Sequence, residues 1–191
     1  MQKDEFFMPE ELDGEKIKLV KRHRKYSREM FELIERSRDF LREFLYWVDA
    51  TKSEEDVDNA MDMFVRRWED KTAFDFVMLE KTSGKVVGAG GVHEVDFKNR
   101  SANFGYLLDQ GQTGKGYASE LVRLVEECLF AKGFHRLAIE ADVRNTASQR
   151  VAERAGYVYE GTLRDVVLAY DGYRSHKLYS KLQKNKFFLN N

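Results

Sequence analysis

Two glycines flank a lysine in Gln112-Thr113-Gly114-Lys115-Gly116-Tyr117-Ala118, where an amphipathic, helix-like stretch begins. The apolar run 104–108 just upstream reads as a strand. Strand, glycine loop and helix start in that order aim several bare backbone N–H groups at one spot. A helix N-terminus adds about half a unit of positive charge there, and such a spot binds phosphate. The plainer readings are glycines for loop flexibility and Lys115 as an ordinary surface lysine. Further along, Asn145 and Ser148 open a second helix-like stretch. Asn145 has the chemistry of an N-cap, and Ser148 is either a reactive hydroxyl or one more polar first-turn residue. His93 and Glu94 end a central strand, one of them facing the side where a substrate could lie. Glu94 is the candidate base, with a structural strand end as its alternative. The acidic group Glu54, Glu55, Asp56 and Asp58 either attracts a basic peptide or complements a helix N-terminus.

The elements that would position these residues follow from hydrophobic period and punctuation. Residues 15–21 alternate as a strand, with Ile17 and Leu19 inward, and 27–38 repeat at helical spacing. Residues 40–48 are ambiguous between a helix end and a packed loop, and core packing is the favoured role for 40–47. Ser53 with Asp56 three residues on caps a helix carrying Val57, Ala60, Met61, Phe64, Val65 and Trp68 on one face. Strands at 73–80, 86–95 and 102–108 are separated by the polar turns 83–85 and 98–100, which predicts an antiparallel meander. A helix over 116–131 closes at Lys132-Gly133. A strand at 136–142, a helix at 147–155 ending before Gly156, and strands at 157–163 and 173–183 complete the chain. The order β-α-α-β-β-β-α-β-α-β-β predicts an α/β fold, a mixed sheet with helices on both faces.

The 191 residues predict one domain over 1–191, its core roughly 15–183, with only an internal seam near Lys71 and Thr72. The 32 basic and 33 acidic side chains nearly cancel, so no global field draws the protein to nucleic acid or membrane. Cys128 is the single cysteine and lies on an apolar helical stripe, reading as a small buried hydrophobe in a reducing compartment. With no signal-like start and no membrane-length apolar run, a cytoplasmic, soluble protein without a metal is expected. The apolar tail Phe187-Phe188-Leu189 could pack on its own domain or on a neighbouring subunit, leaving monomer and homodimer open.

Three phosphate ligands are candidates for the glycine loop. A triphosphate loop needs a glycine five residues before the Gly-Lys pair and a hydroxyl after it. Asp109 and Gly116 stand there instead. The dinucleotide fingerprint fits Gly114 and Gly116 but meets Ser119 at its third glycine. Its glycines also follow the strand directly, whereas Gly114 lies six residues beyond Leu108. A third candidate is the pyrophosphate of coenzyme A, and it rests on a resemblance. Thr113-Gly114-Lys115-Gly116-Tyr117-Ala118 resembles the acetyl-CoA-binding motif of the GNAT superfamily of N-acetyltransferases, Q/R-x-x-G-x-G/A, with Thr113 at the first position and Gln112 one residue early. Asn145-Thr146-Ala147-Ser148, then Arg154-Ala155-Gly156-Tyr157, resembles the N-x-x-S and R-x-G-F/Y blocks of the branch that acetylates ribosomal-protein N-termini (RimJ/RimL-like). Glu160-Gly161-Thr162 and Asp171-Gly172-Tyr173 continue the likeness, which covers roughly 17–182 and is densest after Gly88.

That resemblance implies acetyl transfer from acetyl-CoA to an amine. It implies that the strand 104–108 parts from 137–142, leaving a gap in which pantetheine pairs as a pseudo-strand. Backbone groups of Tyr106, Leu107 and Leu108 would hold the thioester end. Thr113, Gly114, Lys115, Gly116, Tyr117 and Ala118 would grip the pyrophosphate, and Asn145 the pantetheine amides. Ser148 would serve the departing thiolate, since Ala152 stands where other branches carry a tyrosine. The branch often carries a carboxylate where Asn103 stands here, and Asp165 is a weak substitute, so a strong base is missing. An α-amine titrates near 8 and lysine near 10.4, so freeing a lysine at neutral pH costs about 3 kcal/mol more. The expected acceptor is therefore the N-terminal α-amine of a protein, with a ribosomal protein as candidate. A small amine (polyamine, antibiotic or amino-acid-like compound) is the second reading, and a non-catalytic CoA-binding sensor the third.

Overall fold

The computed structural model describes residues 2–183. Their strands are β1 (Glu11–Asp13), β2 (Ile17–Lys21), β3 (Phe74–Glu80), β4 (Val86–Asp96), β5 (Ser101–Leu108), β6 (Arg136–Asp142), β7 (Val158–Ala169) and β8 (Gly172–Leu182). The helices are α1 (Ser27–Arg36), α2 (Arg38–Arg42), α3 (Glu54–Glu69), α4 (Tyr117–Ala131) and α5 (Thr146–Arg154). The strands form one sheet in the order β1-β2-β3-β4-β5-β6-β8-β7. Every pair is antiparallel except β5 with β6.

The mixed α/β sheet expected from the sequence is present, and β3, β4 and β5 form the predicted meander. Ser53 and Asp56 make the reciprocal capping box that starts α3. Other boundaries differ for local reasons. β1 is a three-residue, largely exposed strand with too little apolar period to read. The first helix stops at Arg36, and the ambiguous stretch after it resolves into α2 and a 3₁₀ turn at Tyr46–Ala50. β7 passes the expected end at Leu163 because a register shift between Leu163 and Val167 absorbs Asp165, whose φ is 50°, and pairing with β8 then resumes. The apolar tail Phe187-Phe188-Leu189 lies outside the described residues.

Alternation along the strands feeds two cores. On one face Leu121, Val122, Val125 and Leu129 of α4 pack on Phe74, Phe76, Phe104, Leu137 and Ile139. On the other, Met30, Leu33 and Ile34 of α1 and Val57 and Met61 of α3 cover Val77, Ala89 and Leu107. Trp68 closes the edge by meeting Phe74 and Phe76 edge-on at 5.2 and 5.1 Å. Each such contact adds about 1 kcal/mol beyond the area buried. Cys128 packs against the first core, with Sγ 3.7 Å from Met8 Sδ, and burial raises its pKa as expected of an inert thiol.

The feature that matters for function is where pairing stops. β5 and β6 run in register from Ser101 opposite Arg136 to Phe104 opposite Ile139, and no further. β5 continues to Leu108 against β4 alone, and β6 to Asp142 against β8 alone. A wedge therefore opens between residues 105–108 and 140–142.

Candidate active site

The glycine loop spans the distance from the end of β5 to α4. Asp109 starts it. One carboxylate oxygen accepts from Gly111 N–H at 2.9 Å and the other pairs with Arg36 at 2.6 Å. Ser37 Oγ accepts from Gln110 N–H at 3.0 Å, which ties the loop to the end of α1. Gly114 and Gly116 have φ of 78° and 89°, the left-handed region where a side chain is strained. Gly116 is the N-cap of α4 and supplies no side chain to its first-turn amides, so these keep their donors for a ligand. The loop is braced from behind. Lys16 Nζ donates to Lys115 O at 3.0 Å. Buried Glu120 accepts from the backbone N–H groups of Glu15 and Lys16. Tyr117 OH donates to Glu80 Oε1, an interaction that raises the phenol pKa to about 12.

From this loop a cleft of about 510 Å³ runs into the wedge between β5 and β6. Its walls include Tyr106, Leu107, Leu108, Thr113, Gly114, Gly116, Tyr117, Ala118, Asn145 and Ser148, all expected from the sequence. Lys115 is the exception. Its ammonium turns to Gln112 Oε1 at 2.6 Å and to Glu80 at 4.0 Å, outside the lining, so it braces the loop. Asn145 Oδ1 accepts from Ser148 N–H at 3.0 Å, the N-cap role its type suggested. Ser148 Oγ is then 2.9 Å from Tyr106 OH across the wedge. Burial pushes the Tyr106 phenol up to about 12, so it is a neutral proton donor or acceptor at physiological pH. The sequence marked Tyr106 for its backbone; its hydroxyl partnership with Ser148 joins residues 42 apart and has no local signature.

The far side of the cleft is aromatic. Phe40, Leu41, Phe44 and Leu45 line it, while Leu41 also belongs to the second core. Core packing was the favoured expectation for 40–47, and the stretch both packs on the second core and lines the cleft. Two carboxylates flanking the site are held by partners, Asp109 by Arg36 and Asp142 by Arg174 at 2.9 Å. Glu43 is the carboxylate in the lining itself, and it is exposed. Glu94 accepts from Asn103 Nδ2. Glu94 lies at the β4 bulge with φ 52°, exposed and outside the cleft lining. Asp165 is likewise outside it, on the β7 bulge, where its N–H donates to Ser175 Oγ at 3.0 Å. The structure brings neither carboxylate to Ser148. Sequence reading also missed buried Arg174, which donates to Asp142, Asp171 and the carbonyl of Glu43 and so ties β6, the β7–β8 turn and the end of α2 together. Among the described residues no group of three or more His, Cys, Asp or Glu side chains is placed to hold a metal ion. No described helix is long and apolar enough to cross a membrane.

Comparison with known proteins matches this architecture. The acetyltransferase (GNAT) domain profile matches residues 20–158. A ribosomal-protein-serine acetyltransferase of Escherichia coli (strain K12) is 25% identical over 154 residues, covering 80% of this chain and 85% of its own. Among solved structures, the ribosomal L7/L12 alpha-N-protein acetyltransferase RimL in complex with coenzyme A superposes with a TM-score of 0.86 at 19% identity, over 91% of this chain and 98% of that one. The microcin C7 self-immunity acetyltransferase MccE, in complex with acetyl-CoA and AMP, superposes with a TM-score of 0.85 at 22% identity, over 88% and 93% of the two chains.

Proposed function

The chain belongs to the GNAT family of acetyltransferases, as an acetyl-CoA-dependent N-acetyltransferase, and we propose that its acceptor is the N-terminal α-amine of a protein, a ribosomal protein first among candidates. The observation that carries this reading is the wedge between β5 and β6, with the Tyr106–Ser148 hydroxyl pair in its wall and the glycine loop at its mouth. Acetyl-CoA is one of the two substrates and supplies the activated acetyl group.

Each part of the chain then has a task. The amides around Gly114 and Gly116 hold the pyrophosphate, and the unpaired edge of 105–108 offers backbone groups to pantetheine and to the thioester carbonyl. Ser148 protonates the departing thiolate, and Tyr106 makes good its hydrogen bond. Fixing the thioester against a docked amine supplies the proximity part of the rate. The aromatic wall of Phe40 and Phe44 receives the first residues of the acceptor. An α-amine needs about 3 kcal/mol less than lysine to become nucleophilic at neutral pH, which suits a site whose flanking carboxylates Asp109 and Asp142 are already engaged and whose lining holds a single carboxylate, the exposed Glu43.

Mass spectrometry of the products from a panel of peptides, spermidine-like polyamines and free amino acids tests the reading. Acetylation on peptide α-amines at least tenfold faster than on lysine side chains or small amines is expected. Turnover confined to polyamines would replace the acceptor with a small cationic amine, and a preference for lysine side chains would refute the α-amine assignment.

A further inference from the structure

Asp75, on β3, is buried, only 2% exposed. Its Oδ1 is 3.4 Å from Arg22, a buried guanidinium that also stacks over Phe64 at 3.9 Å. Its Oδ2 lies 3.3 Å from His93 Nδ1, close enough for charge attraction but not aligned as a hydrogen bond, and is otherwise unpartnered among the described residues. His93 itself keeps 31% of its side chain exposed, so this is a charge network open at one end. The other ring nitrogen points at β5. A methyl group built on Gly105 would lie 3.0 Å from His93 Nε2, so the imidazole overhangs that strand only because residue 105 has no side chain. Gly105 is the first β5 residue beyond the last pair with β6. Leu107, on the same face and about 7 Å along the strand, already lines the cleft.

Resting on the acetyltransferase reading, we propose that His93, oriented by Asp75, is the base that deprotonates the acceptor ammonium. The Asp75 carboxylate favours the proton on Nδ1 and leaves the Nε2 lone pair over Gly105, at the closed end of the wedge and just outside the cleft lining, from where it reaches the amine through a bridging water. His93 takes one proton from the ammonium and passes it to solvent. The free amine forms the C–N bond as the C–S bond breaks. The second proton shed by nitrogen passes through solvent to the Ser148 oxygen and replaces the one that Ser148 gives the thiolate. The charged groups around the ring are Asp75 from β3 and, behind it, Arg22 from the segment after β2; α3 contributes the neutral ring of Phe64, at 6.4 Å. Asn103, directly across the ladder from His93, is occupied with Glu94.

The decisive experiment follows thiol release at saturating acetyl-CoA with whichever amine the wild type acetylates best, from pH 5.5 to 9, for wild type, H93Q, H93A and D75N. General-base catalysis is worth about 10²–10⁴ in rate, so H93Q should lose at least a hundredfold in kcat at neutral pH and also lose the acidic limb of the profile. The KM for acetyl-CoA should stay within twofold. Added imidazole should restore part of the H93A rate. D75N should fall with H93Q although its histidine remains, because an amide at position 75 favours the opposite tautomer. If D75N fails to fold, the two His93 variants decide. A loss below threefold in H93Q, or a larger loss with the acidic limb intact and no imidazole rescue, overturns the proposal. Turnover on polyamines alone would change the acceptor and leave this test standing, whereas a normal H93Q profile on a peptide α-amine would remove only the base.

Discussion

Two glycines with the same backbone cost separate the phosphate cradle from mere fold stability. Gly114 has φ 78° and Gly133 has φ 89°, and a Cβ built on either meets nothing within 4 Å. Gly133 ends α4 by a pair of hydrogen bonds, Phe134 N–H to Leu129 O at 3.0 Å and Gly133 N–H to Phe130 O at 3.0 Å, the Schellman arrangement. Alanine at either position therefore adds no clash and only left-handed backbone strain, about 1–2 kcal/mol. For a chain of this size each kcal/mol moves the midpoint by about 2–4 °C, so both G114A and G133A should melt about 2–8 °C lower. Binding should divide them. Gly114 lines the cleft and Gly133 does not. If the loop relaxes toward negative φ to accommodate the new methyl group in G114A, its amides swing off the pyrophosphate. Losing the aim of one charge-assisted bond costs about 1.5–3 kcal/mol, which is roughly ten- to a hundredfold in Kd. Titration calorimetry with CoA should show that weakening for G114A and a Kd within twofold of wild type for G133A. Equal affinities in variants equally destabilised would mean that the loop's left-handed turn does not cradle the phosphate.

Other perturbations probe the proton-donating pair and an acid-sensitive clamp. S148A removes the thiolate's proton source and should cost about a hundredfold in kcat with unchanged CoA affinity; Y106F, which removes one hydrogen bond of about 1 kcal/mol, should cost no more than about tenfold. Equal losses in both by stopped thiol-release assay would shift the donor role to Tyr106. Glu160 on β7 is held well below its ordinary 4.5, at about 2, first by Arg136 and then by Ser180. Its ionised form is thus favoured by folding, so its contribution is complete above pH 4.5 and is lost as pH falls through about 2. Urea midpoints should fall more steeply for wild type than for E160Q between those pH values, and parallel curves would refute the clamp.

Legibility in the sequence tracked the range over which each signal acts. The loop before α4 was readable because glycine punctuation, a preceding strand and an apolar helical stripe lie within one short segment. The strand Arg136–Asp142 matched its expected ends because a Gly-containing helix stop precedes it and the Asn145 cap of the next helix soon follows. The capping box at Ser53 was readable for the same reason. What escaped depends on partners distant in the chain. Asp142 and Arg174 are 32 residues apart, and only the β6–β8 pairing brings them together. Asp75 and His93 meet because β3 and β4 are adjacent and Asp75 faces inward on the α1/α3 side. Both local patterns, Phe-Asp-Phe and Val-His-Glu, resemble ordinary strand alternation. β7 was expected to end at Leu163, whereas the register shift at Asp165 lets the strand resume beyond it.

A gap between two strands inside a continuous sheet needs an account, since the bare edges of 105–108 and 140–142 would each gain about 1 kcal/mol per hydrogen bond by closing. Each strand is committed on its outer side. β5 is laddered to β4 through Leu108, and β6 to β8 through Asp142, whose carboxylate is fixed by Arg174. Arg174 also donates to the carbonyl of Glu43, so drawing β6 inward would pull on the aromatic wall that follows α2. Closing the wedge would also displace the Tyr106–Ser148 pair, because α5 begins directly after β6 and is tied to it by Gln149 donating to the carbonyls of Asp142 and Val143. The unpaired edges are therefore donors and acceptors held ready for an extended, amide-bearing ligand. Pantetheine has that chemistry, and the same restraints that keep the wedge open place Ser148 on one side of it and the overhanging imidazole of His93 on the other.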